Sequence, residues 1–203
     1  RGLAFQLEER LGWVERDTAK EQMAGLTKAD RQALGWAGFR IGRLAIWAPA
    51  LLRGRALKAR RLLAQLVATD IATPSKRACL LERPRDPAAA QALSLAGFAL
   101  LGRHAVRIEP AERLAAAAHE LAAKGPFDPG ASLAAKVGLP EEALPDLLTA
   151  LGYKAIATEA GVAAFQRARP QRRPASDGRP RRPTGPPHRP DSPFAKLKDL
   201  ARG

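Results

Sequence analysis

Apolar residues recur at intervals of three and four along most of the chain, the spacing of helices that bury one stripe. Leu3, Leu7 and Leu11 predict a first helix that ends near Gly12. Thr18 to Glu21 and Thr27 to Asp30 resemble capping boxes for two short helices, the second with Asp in place of Glu. Between Gly38 and Ile46 the pattern changes. Phe39 and Ile41, then Leu44 and Ile46, alternate with polar or small residues, which fits a short strand or an irregular loop equally. Pro49 then opens a long helix over about residues 50–68. On a helical wheel Leu52, Ala59, Leu62, Leu63 and Leu66 share one face, the one expected to be buried, and Arg53, Lys58, Arg60 and Arg61 fall largely opposite. Gly54 is a weak point within that helix.

Residues 73–86 read as a polar, proline-containing linker, and Asp86-Pro87 starts a helix that stops near Gly97. Phe98 to Ile108 reads as a hairpin turning at Gly102-Arg103. Three helices are expected next, over about 110–124, 131–137 and 141–151, each stopped by a glycine (Gly125, Gly138, Gly152). Pro145 lies inside the third, so that helix begins nearer Leu144. Two short strands around Glu159-Ala160-Gly161 complete the order of a winged helix. The presumptive recognition helix carries Glu141, Glu142 and Asp146 without Lys or Arg, which suits a structural or protein-contact role better than a major groove.

Composition sharpens the boundary near Phe165. Gln166 to Pro193 holds eight Arg, eight Pro and almost no aliphatic residue, too little apolar surface to offset chain entropy, so disorder is expected there. Ser192 to Leu200 places Phe194, Leu197 and Leu200 on one face, as either a docking peptide or a frayed end. The expected fold class is mainly α (α+β): a helical bundle, a β-hairpin and a winged-helix-like module, with a disordered Arg/Pro-rich C-terminal tail. The divisions are 1–72 (helical region), 73–86 (linker), 87–165 (hairpin plus winged-helix-like module) and 166–203 (basic tail with a short terminal helix).

Net charge is +14, of which the segment from Gln166 onward carries +8 and the folded part +6. A balance this basic speaks of polyanionic partners, above all phosphate backbones. Cys79 stands alone and His104, His119 and His188 lie far apart, so neither a disulfide nor a metal site is expected. No apolar run approaches the roughly 20 residues of a membrane helix. No signal peptide is visible, and a reducing cytoplasmic setting is expected. The chain starts at Arg1 directly in a helical pattern, as a piece of a longer protein would.

No phosphate-cradling P-loop, nucleophile elbow or Cys/His pair is present, and Glu141-Glu142 sits at a helix start, where acids favour the dipole. Catalysis and cofactor binding within the chain are therefore not expected. The expected nucleic-acid contacts are Arg40, Arg43, Arg53, Lys58, Arg60 and Arg61 on the helical region, and Arg172, Arg173, Arg181 and Arg182 in the tail, mainly to phosphates. Trp36 and Trp47 flank the Arg40–Arg43 segment and could stack on bases, although packing in the core is the commoner fate of Trp.

Two stretches, 1–12 and 38–52, the second reading GFRIGRLAIWAPALL, resemble the region after the motor in alphaproteobacterial superfamily 2 helicases related to the mitochondrial degradosome RNA helicase. Gly97-Phe98, Arg107-Ile108 leading to Glu112-Arg113-Leu114, Leu151-Gly152-Tyr153 and the closing Asp191 to Phe194 are similar to later parts of that region. The resemblance covers most of residues 1–157 in order. It implies a parent protein that unwinds RNA or DNA with ATP and Mg, its motor lying upstream of Arg1, and an accessory module here that contacts both the motor domains and nucleic acid. No residue of this chain inherits a catalytic role. A protein-interaction scaffold and a free-standing winged-helix DNA-binding regulator are the alternatives.

Overall fold

The structure is a computed structural model that describes residues 2–68, 75, 78–157 and 163–168. These residues are mixed α+β, with helices joined by small antiparallel sheets. They belong to one compact unit, Arg1–Ala168. The tail expected to be disordered begins at Gln166, yet Gln166 and Arg167 belong to the last strand of this unit, where they pair with Lys154 and Tyr153. The tail beyond Ala168, including Phe194 to Leu200, lies outside the described residues.

Helix α1 (Gly2–Glu9) buries Leu3 and Leu7 and ends in a left-handed turn at Leu11 (φ 56°) and Gly12 (φ 90°). The strand β1 (Trp13–Glu15) follows at once; with only three residues it left no alternation in the sequence to read. Helix α2 (Lys20–Ala24) starts at Ala19 with no side-chain cap, so the Thr18 capping box does not form. The second box does form. Thr27 accepts from the Asp30 N–H, and Asp30 accepts from the Thr27 N–H at 2.9 Å, at the start of α3 (Lys28–Trp36).

The ambiguous stretch after Gly38 is strand. β2 (Arg40–Ile41) and β3 (Ala45–Trp47) pair antiparallel, and β3 also pairs with β1, giving the order β1-β3-β2. Alternation across this sheet decides its packing. Trp13 and Trp47 face the larger core with Leu114, Leu144 and Leu147, while Val14 and Ile46 face a second one with Leu3, Leu7 and Met23. Trp13 is anchored further by its indole N–H, which donates to the Ser94 carbonyl at 3.0 Å.

Pro49–Leu52 forms a 3-10 turn, and α4 spans Gly54–Val67. Gly54 thus opens the helix, with φ 55°, and does not interrupt it. The facing of α4 differs from the wheel reading. Its buried residues are Arg60 and Ala64, while Leu62, Leu63 and Leu66 are 64%, 42% and 80% exposed. Ala64 packs with Ala92, Leu93 and Ala96, and the small alanines let α4 approach α5 (Pro87–Leu95) closely. The expected linker contributes a strand, β4 (Leu80–Glu82), to the sheet β4-β6-β5. Its partners β5 (Phe98–Leu101) and β6 (His104–Arg107) form the expected hairpin.

Helix α6 (Ile108–Lys124) runs through the larger core, burying Ile108, Ala111, Leu114, Ala115 and Ala118 along one stripe. Helix α7 (Ala131–Val137) ends on Gly138 in the left-handed conformation, φ 73°. Glu141–Ala143 is a 3-10 turn, and α8 (Leu144–Ala150) begins where Pro145 allows, burying Leu144, Leu147 and Leu148. β7 (Tyr153–Ala157) and β8 (Ala163–Arg167) close the unit as an antiparallel pair beside Phe127.

Candidate functional site

The segment between β2 and β3 is held by one carboxylate. Glu112, on α6 and buried, accepts backbone N–H bonds from Arg43 (2.8 Å) at Oε2 and from Leu44 (3.0 Å) and Ala45 (2.6 Å) at Oε1. Three consecutive amides thus converge on the acid as on an anion. Burial pushes the Glu112 carboxyl above its ordinary value, and the three amides and the Arg16 guanidinium pull it back part of the way. A β-carbon at Gly42 would collide with this carboxyl, so the loop needs glycine there.

With the loop clamped, five arginines from separate parts of the chain line one basin of about 760 Å³. They are Arg16 after β1, Arg40 on β2, Arg43 in the loop, Arg53 before α4 and Arg113 on α6. Glu109 and Glu112 are the acids of the lining, so five cations against two carboxylates leave it +3. Three arginines are tethered. Arg16 donates to the Gly42 carbonyl at 2.8 Å, Arg53 pairs with Glu109 at 2.6 Å, and Arg113 donates twice to the Val137 carbonyl, at 3.3 and 3.0 Å. The side chains of Arg40 and Arg43 are exposed and, among the described residues, in no hydrogen bond or ion pair. Trp47, register partner of Arg40, lines the basin with its indole N–H buried and unpartnered.

Of the residues expected from sequence to touch nucleic acid, the basin gathers Arg40, Arg43 and Arg53. Lys58 is exposed on α4 and is no part of that lining. Arg60 is the correction: it is 3% exposed, and its Nη1 donates to the Leu11 carbonyl. A wheel scores the Leu face as inward because it sees only this helix; here the α5 contact and the left-handed turn after α1 take the opposite face. Burial pushes the Arg60 guanidinium down to about 10. Arg61 is half-buried, 3.4 Å from the Ser75 carbonyl, and burial and the nearby Arg107 cation lower it as well. Arg172, Arg173, Arg181 and Arg182 lie outside the described residues.

Sequence reasoning missed Arg16 and Arg113. Arg16 follows a strand too short to recognise. Arg113 sits beside the buried Glu112, and only the α6 facing, one step out of phase with Leu114, could have pointed to it. Of the tryptophans, Trp47 is core and Trp36, at the end of α3, is 87% exposed, against the expectation of packing.

The acids of the last helices are also placed. Asp146 on α8 pairs with Arg103 and lies 3.4 Å from His104 Nε2, tying α8 to the turn of the β5–β6 hairpin. Among the described residues no group of three or more His, Cys, Asp or Glu could hold a metal ion, and no helix is long and apolar enough to cross a membrane. No family model, curated protein or solved structure matches this chain.

Proposed function

We propose that this chain is an accessory nucleic-acid-binding module of an ATP-dependent helicase, and that the arginine basin seats the phosphates of a single strand. The observation that carries the reading is the convergence of Arg16, Arg40, Arg43, Arg53 and Arg113 on one lining, with Arg40 and Arg43 uncommitted to any internal acid. Guanidinium groups fork onto phosphate oxygens in pairs, which lysine cannot do. Arg16 and Arg113 are oriented by backbone carbonyls and so keep donors in fixed directions. Arg53 contributes less, because Glu109 already neutralises it. The exposed indole of Trp36 offers a stacking surface for a base.

The affinity of such a site is mostly electrostatic and independent of base sequence. ATP and Mg belong to the parent motor in this reading, and the module holds the strand while the motor advances in the cytoplasm. The helices α6 to α8 with the β7–β8 pair read as a winged-helix-like module in a supporting role: α8 spends its leucines on the core and Asp146 on the β5–β6 turn. That use of α8 disfavours a free-standing DNA-reading regulator. Binding of a labelled single-stranded oligonucleotide, measured against salt, tests the proposal. Loss of affinity and a shallower salt dependence in Arg40→Ala and Arg43→Ala support it; unchanged binding in both overturns it.

A further inference from the structure

On a separate surface, α1, α3 and α4 enclose an apolar groove of about 580 Å³. Leu7, Leu11, Leu34, Phe39, Leu51 and Leu63 line it. Its margin continues onto the outer face of α4, where Leu62 and Leu66 are 64% and 80% exposed. With Leu63 at the groove's edge, Leu62 and Leu66 make an exposed stripe of helical spacing. Arg55 and Lys58, both exposed, stand along that stripe, seven and four residues before Leu62, so Lys58 borders the leucine face and is not opposite it as the wheel reading has it.

The groove also contains a charge that apolar packing does not explain. Arg60 lies in its wall, 3% exposed. One of its nitrogens serves the Leu11 carbonyl, while Nε and Nη2 are buried and unpartnered. Among the described residues Arg60 is in no ion pair, and the one carboxylate of the lining, Glu8, is exposed. Leucines alone would suit any apolar partner; the exposed Arg55 and Lys58, with the field of the buried Arg60 charge, select an acidic one.

We infer that the groove and the α4 leucine stripe dock an amphipathic helix of a partner protein, whose leucines enter the groove and whose carboxylates pair with the exposed Arg55 and Lys58. Recognition is of the helix-in-groove kind, with anchors at i, i+3, i+4 and i+7. It shares no residue with the arginine basin, so either can fail without the other.

Two synthetic helical peptides of about 15 residues test this against the full chain by fluorescence anisotropy. Both carry the leucine stripe; one has Glu beside it and the other Gln. The wild-type chain is expected to bind the Glu peptide about threefold more tightly, as two exposed ion pairs would give. Arg55→Met/Lys58→Met is expected to bind both peptides equally, and Leu62→Ser/Leu66→Ser, which leaves the buried face intact, to bind both more weakly. Equal binding of the two peptides by the wild-type chain, or binding of neither, overturns the inference. So does self-association of the chain, seen by sedimentation, that Leu62→Ser/Leu66→Ser abolishes, because the face would then belong to a second copy.

Discussion

A β-carbon at position 42 would take the space of the Glu112 carboxyl, so Gly42→Ala is expected to cost about 1–3 kcal/mol of stability in chemical denaturation. Glu112 itself has a pH signature. Its native value lies above the ordinary 4.5, so the native state holds this proton more tightly than the unfolded one. The contribution is fully present below 4.5 and is lost as pH rises through the native value. Stability of the wild-type chain should therefore fall relative to Glu112→Gln as pH rises through that window, read from paired melts; a gap that widens in the other direction contradicts the assignment. Arg40 and Arg43 differ from Arg113 in the same terms. Arg40→Ala should leave the melting midpoint within a degree or two, because no internal partner is lost. Arg113→Ala removes the donors to the Val137 carbonyl and should cost about 1 kcal/mol.

At the scale of elements, helix α4 is the informative case. Because its leucine face is outward in this unit, Leu66→Ser should change stability by no more than about 0.5 kcal/mol. Leu147→Ala on α8, whose side chain is fully buried, should cost about 2–5 kcal/mol. Thermal unfolding of the two variants separates them. The wheel placed Leu62, Leu63 and Leu66 together correctly and assigned them the wrong side, because periodicity reports a stripe and not what covers it. Other elements were legible where local chemistry is decisive: Thr27 and Asp30 cap α3, Asp86 caps α5 by accepting from Ala89 N–H at 2.9 Å, and Pro145 moves the start of α8. The strands β1 and β4, three residues each, were not, since their pairing is set by distant partners, Trp47 and Val106 among them. The basin followed the same rule. Arg40, Arg43 and Arg53 were visible as a basic stretch, whereas Arg16 and Arg113 arrive there only through the sheet and the Glu112 clamp.

For the whole molecule, the two tryptophan-bearing strands link everything else. β1 and β3 present Trp13 and Trp47 to the α6–α8 core and Val14 and Ile46 to the α1–α2 core, so residues on both sides of positions 73–86 share one interior. The basin sits where that interior meets solvent, and its position depends on α6 reaching back to the β2–β3 loop. Whether this basin seats phosphates is read from the salt dependence of binding between the full chain and a labelled single-stranded oligonucleotide, for wild type and for Arg40→Ala/Arg43→Ala. Each phosphate contact on a single strand contributes a slope of about −0.7 in log affinity against log salt, so the double variant should be shallower by about 1.4 as well as weaker. An unchanged slope and affinity in that variant, with the fold intact by circular dichroism, would mean that Arg40 and Arg43 hold no phosphate.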